Sequence, residues 1–317
     1  MRRQLIRVGP LQLFRYIRAS SNEMFVKAIE IAAGFTRAIC TITRLYGSTS
    51  PVPGAATLFL INADGWALTC RHVAEGILSA EHINTQHDAF KAEKAAIAGG
   101  KRYRHQLEAV EKKFGYTAGR TVELNANFVD CVDNITDFEV HMHTAYDVAL
   151  LKFNGFSRVI CDRFPVFAST GAELKQGKSL CRLGFPFPEF TNFEYDAASD
   201  SIRWRAGAPG TTPRFPIDGM VTRHLMDNTG TIFAFEMSTP GLRGQSGGPA
   251  FDVEGRVWGM QSATSHLDLD FDVDTEVLRA GRKRRVTNSP FLHVGNCIHV
   301  DVLKDFMHSR GVAFEEG

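Results

Sequence analysis

The sequence predicts an all-β body of two antiparallel barrels that carries one helical insertion and helical ends. Three observations lead there. Apolar or alternating runs of strand length recur between residues 38 and 300. Turn residues punctuate them, above all Asn62-Ala63-Asp64-Gly65 between two apolar runs, which is a hairpin signal. A single stretch, residues 79–114, abandons the strand pattern for helical spacing. Many short strands with frequent turns suit barrels.

Taken in order, residues 1–36 read as an N-terminal extension with an amphipathic helical pattern from Met24 to Ala33. Predicted strands follow at Ala38–Leu45, Ala56–Ile61 and Trp66–Cys70. In the insertion, Ala89, Ala92 and Ala96, then Leu107, Val110 and Phe114, share helix faces, and Gly99-Gly100 splits the segment into a helix pair. Strands resume at Val122–Val132, Phe138–His143 and Val148–Phe153. A second β-rich half has runs at Ser179–Leu183, Ile232–Met237, Val257–Ser262 and Asn296–Val300, and Val302–His308 closes the chain as a helix. The expected organisation is an extension over 1–36, a first barrel over 37–160 that includes the 79–114 insertion, and a second barrel with its C-terminal helix over 161–317.

Composition bounds the function without naming it. Hydrophobic residues make up 44% and charged residues 22% of the 317, the ordinary globular range. A net charge of +1 gives no general pull toward nucleic acid or an anionic membrane. The six cysteines stand singly, away from metal-site spacing and far below the density of a disulfide scaffold, so they read as small buried hydrophobes. No run approaches the ~18 apolar residues of a membrane span. The basic start Met1-Arg-Arg-Gln-Leu-Ile-Arg7 resembles the first part of a signal peptide, but Arg15, Arg18, Glu23 and Lys27 interrupt the apolar core that should follow. A cytoplasmic setting is therefore expected.

The chemistry concentrates in three segments. Acyl transfer by a serine needs a base for the hydroxyl proton, an acid that holds the base's tautomer, and donors for the oxyanion. In Gly244-Gln245-Ser246-Gly247-Gly248-Pro249, small residues let the backbone turn tightly around Ser246 and aim N–H groups, those of Gly244 and Ser246, into one cavity. Trp66 to His72 reads as a strand that ends in a histidine, just after the hairpin. Asp147 stands at the mouth of the apolar run Val148-Ala149-Leu150-Leu151, where a carboxylate can hold one imidazole nitrogen while the other faces the serine. The chain order is His72, Asp147, Ser246.

Together these segments resemble the trypsin-like (chymotrypsin-fold) serine peptidases, especially their bacterial disulfide-free branch. Leu58 to Thr69 followed by His72-Val73 resembles that branch's strand, turn and histidine. Gly244 to Asp252, then Gly255 to Gly259, resembles its serine loop and the hairpin after it. Leu183-Gly184-Phe185-Pro186 and Asn296 to Phe306 are similar to an early strand end of the second barrel and to the last strand with its helix. The resemblance runs over residues 38–308 and implies two six-stranded barrels with a triad between them. It further implies a serine endopeptidase that works on protein or peptide substrates through an acyl-enzyme, with no metal or cofactor. One wall of the primary specificity pocket would be Pro240-Gly241-Leu242-Arg243, and the opposite wall Gln261-Ser262-Ala263. The first wall has no acid, so cleavage after Lys or Arg is not implied; a small or medium apolar residue is expected there instead.

Departures qualify the resemblance. Arg71 precedes His72, and 75 residues separate His72 from Asp147, a gap the insertion accounts for. Gln245 stands before the serine in place of the aspartate of zymogen-activated relatives, so activation by N-terminal cleavage is not expected. Asp133 and Asp137 are nearby substitutes for Asp147. An α/β-hydrolase esterase, which shares Gly-x-Ser-x-Gly, would need its acid and histidine after the serine, in the last 71 residues, and a helix where Gly247-Gly248-Pro249 stands. The histidine pairs His82/His87 and His141/His143 lack a third ligand at metal spacing. Arg282-Lys-Arg-Arg285 reads as a solvated loop, or else a processing or docking site. The other class of function is a latent or partner-activated binding module, with the insertion as the surface for a regulatory protein.

Overall fold

The computed structural model describes residues 24–205 and 212–317. Most of the expected N-terminal extension, residues 1–23, lies outside these. The described chain opens on helix α1 (Val26–Phe35), which runs into the first sheet.

That sheet contains β1 (Thr36–Leu45), β2 (Val52–Leu60), β3 (Trp66–Thr69), β4 (Thr121–Phe128), β5 (Asp137–Met142) and β6 (Ala149–Asn154), in the order β4-β1-β2-β3-β6-β5. Every pairing is antiparallel, and the sheet curls around Ile39, Leu58, Leu60, Ala67, Leu151 and Phe153. Strand period explains the register: alternate residues such as Leu58 and Leu60 face this core, while Phe59 faces the other side.

The second sheet holds β7 (Val166–Phe167), β8 (Ser179–Gly184), β11 (Phe215–Met226), β12 (Ile232–Met237), β13 (Pro249–Phe251), β14 (Val257–Asp268), β17 (Phe291–His299) and β18 (Glu315–Glu316), with β9 (Phe193–Asp196) and β10 (Ser201–Trp204) as a separate hairpin between β8 and β11. Because β13 pairs with both β8 and β14, the six strands β13-β8-β11-β12-β17-β14 close into a ring, all antiparallel. Its interior is packed by Leu180, Val221, Phe235, Met237, Ala250 and Trp258. The fold is thus the expected one: mostly β, with one closed six-stranded barrel and one curled half-barrel.

The largest apolar cluster lies between the two sheets. Phe59, Leu68 and Leu150 from the first meet Leu183, Phe251, Val257, Met260 and Ile298 from the second. Helix α1, through Ala28, Ala32 and Phe35, and the C-terminal helix α4 (Val300–Ser309), through Leu303, Phe306 and Met307, join the same cluster. Each fully buried side chain of this size contributes ~1.5–3 kcal/mol, so the seam that carries the site is also a principal source of stability.

Several elements differ from expectation, among them β9, β10 and the 12-residue β11, which no expected strand covers. The helical segment starts at Arg71, not at 79: α2 spans Arg71–Ala95 and α3 Tyr103–Phe114, with the break at Gly99-Gly100 as expected. Helix α2 packs on the first sheet. His87 and Phe90 are buried against Tyr116 and Val122, and Asn84 exchanges hydrogen bonds with Leu124 of β4. The basic run is not a loop, for it forms β16 (Arg282–Asn288) in a hairpin with β15 (Val273–Arg279). Its cations face Asp274 and Glu276 across the hairpin, which offsets the charge repulsion that argues for a loop.

Candidate active site

Strand β3 ends at Thr69, and His72 stands two residues beyond the Cys70 N-cap, on the first turn of α2 rather than at a strand end. Cys70 offers no side-chain cap, and the first turn has no acid of its own. Asp147 supplies one from the far side of the chain: its Oδ1 accepts the His72 backbone N–H at 3.0 Å. A carboxylate at a helix N-terminus is favoured by the unpaired N–H groups and the helix dipole. The same carboxylate holds the imidazole, with Nδ1 at 2.9 Å from Oδ2 and 3.1 Å from Oδ1. Nδ1 is therefore the protonated nitrogen, and Nε2 is free to accept.

Asp147 is held in its turn. The Ser262 hydroxyl donates to its Oδ2. The preceding turn is stiffened by His143, whose Nδ1 accepts the N–H groups of Ala145 and Tyr146 and whose ring stacks on Tyr146. Tyr146 also stacks on Phe233 and donates to Asp227 at 2.7 Å. Burial alone would push the Asp147 carboxyl up, but hydrogen bonds from the His72 ring, the Ser262 hydroxyl and the His72 N–H outweigh it and bring it to about 2. His72 is raised above the ordinary histidine value, chiefly by its hydrogen bond to Asp147, against a smaller opposing effect of burial. Arg71 turns away to Glu75 and to the His143 and Thr144 carbonyls. The substitute acids do not compete: Asp133 accepts the N–H groups of Ser157 and Arg158, and Asp137 sits exposed on β5.

Ser246 sits on a loop fixed from three sides. Gly247 N–H donates to the Gln261 carbonyl, and Gln261 N–H to the Gly248 carbonyl, both at 2.8 Å. Gln245, fully buried, accepts the Leu242 N–H through Oε1 and donates Nε2 to the Phe215 carbonyl, so a neutral amide braces the loop where a charged partner is absent. Across the seam, Thr57 of β2 donates its hydroxyl to the Gly244 carbonyl at 2.7 Å, and its N–H to the Ser246 carbonyl at 3.0 Å. Gly244 (φ +99°) and Gly247 (φ +88°) both occupy backbone conformations that favour glycine. A Cβ at Gly247 would also fall 2.0 Å from the Thr57 carbonyl oxygen. Among the described residues, the N–H groups of Gly244 and Ser246 donate to no protein acceptor.

The Ser246 hydroxyl rests on the Ser262 carbonyl at 3.2 Å, not on His72. Ser262 is the extra residue of a β-bulge, where the β14–β17 register shifts between Gln261 and Ala263. Bulges re-aim side chains, and here one residue touches the acid with its hydroxyl and the serine with its carbonyl. Of the residues expected to line the pocket, Gly241 accepts the hydroxyl of Thr264, which follows the opposite wall, and the Gln261 amide lies between the two walls, donating to the Ala263 carbonyl.

One group of three potential metal ligands, Cys70, His72 and Asp147, has its donor atoms within 4.8 Å. The Cys70 thiol is fully buried, pushed well above the ordinary value by burial, and donates to the Gln261 carbonyl. A protonated thiol makes a poor metal ligand.

A family model described as the trypsin-like peptidase domain matches residues 56–260. The chain belongs to the trypsin-like peptidases. Among solved structures, it is similar to the HtrA-type protease AlgW with a tripeptide, at 13% identity and a TM-score of 0.46, covering 90% of this chain and 62% of that one. A variant of AlgW with a decapeptide matches at 12% identity and a TM-score of 0.45, over 90% of this chain and 65% of that one. The chain thus spans less than two thirds of those chains. No curated protein matches it. The six cysteines are all free thiols, in keeping with the disulfide-free branch of the family.

Sequence reasoning missed two contributors. Thr57 is a lone polar residue in the apolar run Ala56 to Ile61, which could have marked it as fully buried and bonded. Ser262 was expected only as a pocket wall, because its contact with Asp147 spans 115 residues and leaves no local trace.

Proposed function

We propose that the protein is a serine endopeptidase that cleaves peptide bonds through His72, Asp147 and Ser246. The observation that carries this reading is the Asp147 carboxylate, which binds both the backbone and the ring of His72 and leaves Nε2 as the open base. Ser246 leaves the Ser262 carbonyl, gives its proton to Nε2 and attacks the substrate carbonyl. Catalytic hydrogen bonds are often loose before substrate arrives and tighten in the complex, which is consistent with the resting position of the hydroxyl. The imidazolium is stabilised by Asp147, already anionic, and the oxyanion by the free N–H groups of Gly244 and Ser246. His72 then protonates the leaving amine, and water, activated by the same nitrogen, hydrolyses the acyl-enzyme.

The neutral brace at Gln245 supports a site that needs no new N-terminus to form. A fluorophosphonate probe tests the reading, with the modified residue located by mass spectrometry. Labelling at Ser246 that His72→Ala abolishes supports the triad; an unlabelled Ser246 in the folded protein points instead to a binding module.

A further inference from the structure

Arg182 on β8 points into the closed barrel, on the face it shares with Leu180, and is 0% exposed. Its Nη2 donates to the Thr239 carbonyl at 2.9 Å, the Thr239 hydroxyl at 2.7 Å and the Pro240 carbonyl at 3.0 Å, and its Nη1 donates to Gln261 Oε1. Nε has no partner. All these acceptors are neutral, and among the described residues no carboxylate forms an ion pair with this guanidinium. The titratable neighbours are the thiols of Cys181 and Cys297, which burial pushes up to about 12, so neither supplies a counter-charge near neutral pH. A cation held away from water without an anion is strongly unfavourable, so an anion that reaches it would offset that cost.

Its position says which anion. The guanidinium lies where the segment beginning at Pro240 meets Gln261, the two walls of the expected specificity pocket. Two glycines leave the room: a Cβ at Gly295 would fall 1.9 Å from Arg182 Nη1, and one at Gly241 would fall 2.3 Å from the Gln261 amide nitrogen. Gln261 offers the cation a side-chain carbonyl oxygen, the neutral counterpart of a carboxylate oxygen. We propose that Arg182 forms the floor of the primary specificity pocket and selects an acidic side chain, Asp or Glu, immediately before the scissile bond. This rests on the serine-peptidase reading of the adjoining site. The incoming carboxylate takes the Gln261 oxygen's place on Nη1 and reaches Nε. For this the Gln261 amide swings out from between the walls, giving up its bond to the Ala263 carbonyl, and the Thr264–Gly241 bridge parts to admit the side chain.

Product-like peptides test this without turnover. N-acetylated tetrapeptides that differ only in a C-terminal Glu, Gln, Leu or Lys are titrated into the intact protein by calorimetry. The Glu peptide should bind about 100-fold tighter than the Gln and Leu peptides, because its carboxylate alone makes charge-assisted hydrogen bonds to the guanidinium. Arg182→Gln should erase the difference while the melting profile shows a folded protein. Equal affinities, a preference for Leu or Lys, or no binding of the Glu peptide to the native protein overturns the proposal, whether or not the variant folds. Fluorophosphonate labelling of the same sample separates the two readings. Labelling with no Glu preference removes the acidic pocket alone; a Glu preference without labelling removes the peptidase alone.

Discussion

The Ser262 carbonyl oxygen accepts the hydroxyl of Ser246 at 3.2 Å, while the Ser262 side chain donates to Asp147. One bulged residue thus joins the proposed nucleophile to the proposed acid. The resting serine is held within the constellation, on an acceptor it must leave before the base can take its proton.

Ser262→Ala should lower kcat/KM by about 10-fold, since it removes one hydrogen bond to a charged group and leaves the His72–Asp147 pair in place. The fall should appear in kcat more than in KM. Steady-state kinetics on one peptide substrate measures both.

The pH profile follows from the His72 shift. Activity needs neutral Nε2, and the hydrogen bond to Asp147 raises His72 above its ordinary 6.5. Activity should therefore rise with pH through a midpoint above 6.5 and be lost below it. Asp147→Asn removes the anion, so the midpoint should move down and kcat should fall by about 10⁴-fold. Rates measured from pH 5 to 9 for both proteins check the sign.

Thr57→Val removes the hydroxyl that donates to the Gly244 carbonyl and accepts the Phe185 N–H across the seam. Two buried backbone groups lose their partner, at about 1–3 kcal/mol each. Urea unfolding should show that loss of stability. Activity should fall as well, because the same bonds hold the loop that presents Ser246.

Stability should not depend on redox conditions, since all six cysteines are thiols. Melting temperatures with and without a reducing agent should agree within a degree or so, as no loop-closing cross-link is there to lose.

Much of this was legible in the sequence, for identifiable reasons. Most of the strands show because apolar runs of strand length stand between turn residues, as Leu58, Phe59 and Leu60 do, whereas the 12-residue β11 escapes because most of its residues are exposed or half-buried and form no such run. His72 and Asp147 were found by residue type and chain order. The place of His72 on a helix was not, because the cap that starts α2 comes from Asp147, far along the chain. The hairpin of β15 and β16 turns at Ala280-Gly281, both at positive φ, without the Asn-Gly or Asp-Gly signal of such turns. Arg182 looked like an ordinary charge in the run Ser179 to Leu183, and its burial depends on carbonyls and a glycine contributed from β17 and from around Pro240.

Hydrolysis of an internally quenched peptide library by the native protein and by Ser246→Ala, with products sequenced by mass spectrometry, tests the central claim most directly. Native protein should release defined fragments at a limited set of bonds, and Ser246→Ala should lower the rate by about 10⁴-fold or more, since triad members act as a unit. Cleavage that Ser246→Ala leaves undiminished would contradict the assignment of Ser246 as the nucleophile.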